Sequence, residues 1–293
     1  MIKNRFNFWT CTVIFFSTIL LMSCSKKVIY PAPPSLTSDY VSTLSLEKQT
    51  AYQFVTSRRD QRILDALLSD DFYSRDRSWK GEKEAFIKKR MEDTSFTVIR
   101  PVRILQDDSL VAVHSRMLGD TLRFRWDIIR VEDKEIYEHW SNVHDSIGHN
   151  PSGHSEIDGP TLPTQLEKTD TNRALIARFI DQCLIREDGG APNFFNFSLY
   201  VQHNRNVGDG IKGLVFEIIK MKLRGGSLKF EDNYHVIAEG NFVLSASEGF
   251  VDGNKVAFYD LFRIQQSRIV EHWDIIAPID AFLNYDPPIE KKK

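Results

Sequence analysis

Apolar positions along the chain recur with two periods, and the periods change over in the same order twice. In the second half, Thr171 to Arg186 opens with Thr/Asp/Asn capping chemistry and keeps Leu175, Ile176, Phe179, Ile180 and Leu184 on one helical stripe. Gly189-Gly190 and Pro192 end it. A short aromatic helix is predicted over 193–200, then a turn at Gln202-His203-Asn204-Arg205, then a helix over 210–223 that Gly225-Gly226 closes. The period then falls to two, which predicts strands over 227–239, 241–251, 255–265 and 268–276 joined by hairpin turns. The first half repeats the plan, with helices over 46–58, 61–68 and 81–91 and strands over 96–105, 109–117, 121–130 and 135–142. Helices followed by an antiparallel sheet predict an α+β fold, with three helices laid on one face of a curved sheet of about four strands in each half.

The two halves share more than a plan. Trp126–Ser141 reads WDIIRVEDKEIYEHWS and Tyr259–Asp274 reads YDLFRIQQSRIVEHWD. Asp127 and Asp260, Arg130 and Arg263, Glu138 and Glu271, His139 and His272, and Trp140 and Trp273 all stand 133 positions apart. Two copies of one domain are therefore expected, over 45–142 and 171–280. Between them, 143–170 reads as a Pro/Gly-marked linker and 281–293 as a tail. The copies differ at the loop, where Arg75 stands opposite His203, and at the end, where Ser141 replaces Asp274. These losses point any chemistry to the second copy.

The ends and the composition set the setting. Lys3 and Arg5 precede an apolar run from Phe6 to Met22, and Leu21-Met22-Ser23-Cys24 closes it. A basic start, a short apolar core and small residues make a secretory signal over 1–23. The closing cysteine resembles a bacterial lipobox, which implies acylation of Cys24, with Pro31, Pro33 and Pro34 in an extended tether over 24–44. Ser25 after the cysteine favours the outer membrane by the same resemblance. Of three cysteines only Cys183 then remains in the folded part, on the apolar stripe, so no intrachain disulfide is expected. The formal charge of −2 gives no sign of nucleic-acid binding. His144, His149 and His154 lie in the linker at spacings of five, which fit no helix face, so no metal site is expected from them.

Asn172-Arg173-Ala174-Leu175, Tyr200 to Asn204, Asp209-Gly210, Tyr259 to Arg263 and Glu271 to Asp274 together resemble the SnoaL-like branch of the nuclear transport factor 2-like superfamily. The resemblance covers 171–279, and more weakly the first copy through Gly81, Trp126–Arg130 and Glu138-His139-Trp140. It implies two tandem cone-shaped domains, each enclosing a pocket for a small hydrophobic molecule. Two such domains packed through their sheets would form an intramolecular pseudo-dimer. The SnoaL-like cyclases use a pocket aspartate for aldol closure without metal or cofactor.

Asp260 is the leading catalytic candidate. Val256, Phe258, Asp260, Phe262 and Ile264 alternate onto one strand face. A carboxylate buried in such a face is expected to have a raised pKa, the form of a general base. It could equally be a structural acceptor tied to Arg263. His203, expected at the mouth of the cone, is a candidate donor or base, or else a turn residue. His272 shares a strand face with Asp274, while Glu271 and Trp273 point the other way. The resemblance sets His272 near the pocket. Tyr200 and Tyr259 are candidate donors to an enolate oxygen, and Asn204 and Asp274 are candidate ligand contacts. A non-catalytic module that binds a ligand or docks a protein at the membrane is the competing reading.

Overall fold

The computed structural model describes residues 33–57 and 59–279. The signal, Cys24, the tether as far as residue 32 and the whole of the tail lie outside the described residues. Among the described residues, no helix is long and apolar enough to cross a membrane.

The first domain runs α1 (Ser38–Val41), α2 (Leu46–Thr56), α3 (Gln61–Leu67), β1 (Leu68–Ser74), β2 (Gly81–Glu82), α4 (Lys83–Glu92), β3 (Phe96–Asp107), β4 (Leu110–Gly119), β5 (Leu122–Glu132) and β6 (Glu135–Asp145). The second runs α5 (Thr169–Phe179), a π-helical turn (Ile180–Ile185), a 3-10 turn (Ala191–Phe194), β7 (Val201–Gln202), α6 (Gly210–Leu223), β8 (Leu228–Glu239), β9 (Phe242–Val251), β10 (Asn254–Gln265) and β11 (Arg268–Pro278). Each sheet has four long antiparallel strands, β3 to β6 and β8 to β11. A short strand is added in parallel at one edge, β1 on β6 and β7 on β11, and β2 extends the first sheet beyond β1. The fold is thus α+β, with two tandem cone-shaped domains.

One local expectation changes, and one segment with no predicted element is a strand. The aromatic helix over 193–200 is only the 3-10 turn, because Phe194 and Phe195 drop into the core and Phe195 bridges to Ile269. Phe72-Tyr73-Ser74 forms strand β1, since His139 offers its backbone as a parallel neighbour.

One face of each sheet carries its helices. The other faces meet each other. Val102, Ala112, Trp126, Ile128 and Trp140 of the first sheet form one buried cluster with Leu244, Tyr259, Leu261, Trp273 and Ile275 of the second. Residues at the repeat offset of 133 touch directly across this contact. The Gln106 backbone N–H donates to Glu239 Oε2 at 2.9 Å, and Asn142 Nδ2 donates to Ile275 O at 2.8 Å. Equivalent residues meeting in this way is the sign of an isologous contact. Arg173 adds a bidentate pair to Asp107, at 2.8 and 2.6 Å.

The linker is built into this junction. Buried Arg103 donates to the carbonyls of Ile157, Asp158 and Pro160, and Asn150 Nδ2 donates to the carbonyls of Gln202 and Val207. Gly159, at φ +90°, passes where a Cβ would lie 2.8 Å from Glu271 Oε1, which leaves room for hydrogen alone.

Candidate functional site

A cavity of about 290 Å³ lies between α6 and the concave face of the second sheet. Phe179, Leu184, Phe195, Leu214, Phe258 and Phe262 make most of it apolar. Its polar end is made by alternation on three strands. Asp260 on β10 faces Asp274 on β11, with His272 next along β11 opposite Phe262. Gln202 on β7 is in register with His272, and Tyr200 and Asn204 flank it on the same side.

His272 Nε2 lies 3.0 Å from Asp260 Oδ1, and His272 Nδ1 lies 3.0 Å from Gln202 Oε1. The Gln202 side chain can sit only one way round. Its Oε1 accepts the backbone N–H groups of His203 and Asn204, both at 2.9 Å, and its Nε2 donates to the Tyr200 hydroxyl at 2.9 Å. His272 Nδ1 therefore faces an acceptor oxygen. Nε2 in turn faces a carboxylate oxygen, so both ring nitrogens of His272 stand opposite acceptors. Asp260 Oδ2 is buried with no hydrogen-bond partner among the described residues.

Asn204 Nδ2 donates to Asp274 Oδ2 at 2.6 Å. Burial raises the pKa of Asp274, and the charge of Asp260 raises it further against the pull of His272. Burial also pushes the Tyr200 phenol well above its ordinary value, with Asp274 and Asp260 adding to it. Tyr200 is therefore a donor rather than an anion. Asp260, His272 and Asp274 each bring a ligand atom within 4.8 Å of the others, so they could hold a cation, and His154, Asp158 and His203 form a second such group.

Two candidates lie elsewhere. His203 is fully buried on the opposite face of the sheet, stacked on Trp273 at 4.5 Å. Its Nδ1 meets Asp158 at 2.6 Å and its Nε2 meets Glu271 at 2.8 Å. Burial works against its protonation, but these two carboxylates raise its pKa. Tyr259 likewise belongs to the cluster between the sheets. Arg75, which stands where His203 does, pairs with Glu138 at 2.6 Å, as His203 pairs with Glu271. The exchange of His203 for Arg75 thus keeps a nitrogen group on the equivalent glutamate and says nothing about a lost site. Arg130–Glu138 and Arg263–Glu271 complete the same pattern on that face.

The copies diverge on the helix side. In the first domain His139 Nε2 meets Asp127 Oδ1 at 2.8 Å, but Arg125 also grips Asp127 at 2.9 and 3.0 Å and Asp76 at 2.6 Å. Burial disfavours charge on Asp76, yet Arg125 holds its carboxyl below the usual range. His139 Nδ1 faces Ser74 Oγ at 3.0 Å, which can donate, so this ring is satisfied when neutral. Phe54, Phe72, Trp79, Phe86 and Phe96 fill the space around the pair. Phe258 stands in the second copy where Arg125 stands in the first.

The buried linker gives the chain a pH response. Burial raises Glu156 from an ordinary 4.5 to about 7, against the pull of Arg205. A carboxyl raised on folding favours the folded state below its ordinary value, and that advantage is lost between pH 4.5 and about 7. The raised pKa of His203 adds stability below its ordinary 6.5 that disappears as pH passes its folded value. Buried His114, His139, His144 and His235, which burial holds below their ordinary value, act the other way, so the effect of Glu156 is read as a difference between variants. The melting temperature of Glu156→Gln relative to the wild type is expected to rise from pH 5 to about pH 7; a difference that does not change with pH would remove Glu156 as a cause.

No family profile matches the chain, and no curated protein matches it. Among solved structures, wild-type IdmH of Streptomyces antibioticus, a candidate polyketide cyclase, is 16% identical over 33% of this chain and 91% of its own, at a TM-score of 0.29. A candidate polyketide cyclase of Bacillus cereus is 18% identical over 41% of this chain and 91% of its own, also at 0.29. A candidate ketosteroid isomerase of Kribbella flavida is 16% identical over 33% of this chain and 76% of its own, at 0.29.

Proposed function

We propose that the second domain binds a small, mostly apolar carbonyl compound and moves a proton on it, with Asp260 and His272 as the acid–base pair. The observation that carries this is the pair itself, His272 Nε2 at 3.0 Å from Asp260 Oδ1 at the polar end of an apolar cavity, with Asp260 Oδ2 left unpartnered among the described residues. In this reading a C–H bond next to the carbonyl breaks, its proton goes to Asp260 Oδ2, and the electron pair moves to the carbonyl oxygen. Tyr200 donates to the enolate. The proton then returns at another carbon, or the enolate carbon attacks a second carbonyl and His272 protonates the new alkoxide. Aldol-type closure and isomerisation are the two outcomes.

The first domain favours a second reading. There the same Asp–His pair is sealed among aromatic side chains and neutralised by arginine, so the pair can serve structure alone. On that view the cavity only binds. Incubating the protein in deuterated water with carbonyl compounds that raise its melting temperature separates the two. Loss of α-proton signals by NMR is the expected result; ligands that bind with no exchange would leave the binding reading standing alone.

We place the protein in the bacterial envelope, held at the outer membrane by acyl chains on Cys24. Labelled fatty acid is expected in the wild-type chain and absent from Cys24→Ser. Equal labelling of the two would end this part of the reading.

A further inference from the structure

Helix α6 closes the cavity with one side and carries a second apolar stripe on the other. Leu214, Glu217, Ile218 and Met221 face inward. Phe216, Ile219 and Leu223, at spacings of three and four, face outward and are 68%, 43% and 84% exposed. At about 100° per residue, Lys220 and Lys222 fall on either side of this stripe and Lys212 lies in line with it one turn earlier. All three lysines are exposed. Glu217 pairs with Lys220 at 3.1 Å and Arg224 at 3.7 Å from the cavity side, and Glu187 acts on Lys222.

Single exposed apolar residues are ordinary, whereas a contiguous stripe of three large ones marks a contact surface. We propose that the outer side of α6 docks on an anionic lipid surface, with Phe216, Ile219 and Leu223 entering the acyl boundary and Lys212, Lys220 and Lys222 meeting the headgroup phosphates. An apolar stripe bordered by cations on both sides is the recognition chemistry of a helix lying in the membrane interface. The inference rests neither on the acid–base reading nor on acylation at Cys24. It sets the wall of an apolar cavity against a lipid phase.

The test uses the unacylated chain from Ser25 onward, which contains every described residue, floated with vesicles. Binding is expected to vesicles of phosphatidylglycerol and phosphatidylethanolamine, and far less to phosphatidylcholine alone. Phe216→Glu with Leu223→Glu should cut the bound fraction about tenfold or more without lowering the melting temperature, since neither side chain is packed. Lys220→Gln with Lys222→Gln should erase the preference for anionic lipid. No flotation on anionic vesicles, or equal flotation of the double-glutamate variant, overturns the proposal. So does self-association that the same variant abolishes, which would give this face to a second copy of the chain.

Discussion

Replacing Asp260 by asparagine is expected to slow proton exchange on a bound ligand by about 10²- to 10⁴-fold while leaving the protein folded. Asparagine has the same shape, and its Nδ2 can donate to His272 Nε2, the atom that the Gln202 contact leaves bare in a neutral ring. The pair then loses its carboxylate without losing its hydrogen bond. Asp127→Asn in the first domain is the matched control. It should leave exchange unchanged but destabilise the chain, because Arg125 loses a bidentate carboxylate partner. Exchange is read by NMR and stability by thermal melting. Undiminished exchange in Asp260→Asn would remove Asp260 from the chemistry. Equal loss of exchange in both variants would mean that the effect is one of folding.

Much of the fold was legible because the repeat falls on hairpins. The shared segments are β5–β6 and β10–β11, where alternation placed Asp260, His272 and Asp274 on one face and Glu271 and Trp273 on the other. What alternation did not reveal was which face holds the cavity, since both faces of this sheet are buried. Sequence alone therefore groups Tyr259 and His203 with the site, although each is adjacent to one of its members and neighbours on a strand point opposite ways. The same parity applied to Tyr200-Val201-Gln202-His203-Asn204 would have set Gln202 with Tyr200 and Asn204 and sent His203 across the sheet. Gln202 carries no signal in the sequence because a glutamine has no acid–base chemistry of its own. Its role exists only through the backbone N–H groups that fix its amide. The difference between Arg125 and Phe258 was also in the aligned sequences, but its weight depends on Asp76, which reaches Arg125 from a distant loop.

That difference supplies the largest expected effect on stability. Arg125 is fully buried between Asp76 and Asp127, with its guanidinium 4.5 Å over the Trp79 ring. Arg125→Phe installs the residue of the second copy but strands two buried carboxylates, and should cost about 3–5 kcal/mol. Adding Asp76→Asn installs the counterpart of Asn204 as well, since Ser74 pairs with His139 as Gln202 pairs with His272. Asparagine can still accept the Ser78 and Trp79 backbone N–H groups through its Oδ1, as Asp76 does. The double variant should therefore recover about 1–3 kcal/mol, leaving Asp127 to His139 much as Asp260 is left to His272. Urea denaturation followed by tryptophan fluorescence measures both. A double variant no more stable than Arg125→Phe alone would assign the arginine's contribution to its packing over Trp79. A recovery of the expected size would assign most of the arginine's contribution to neutralising its two buried carboxylates.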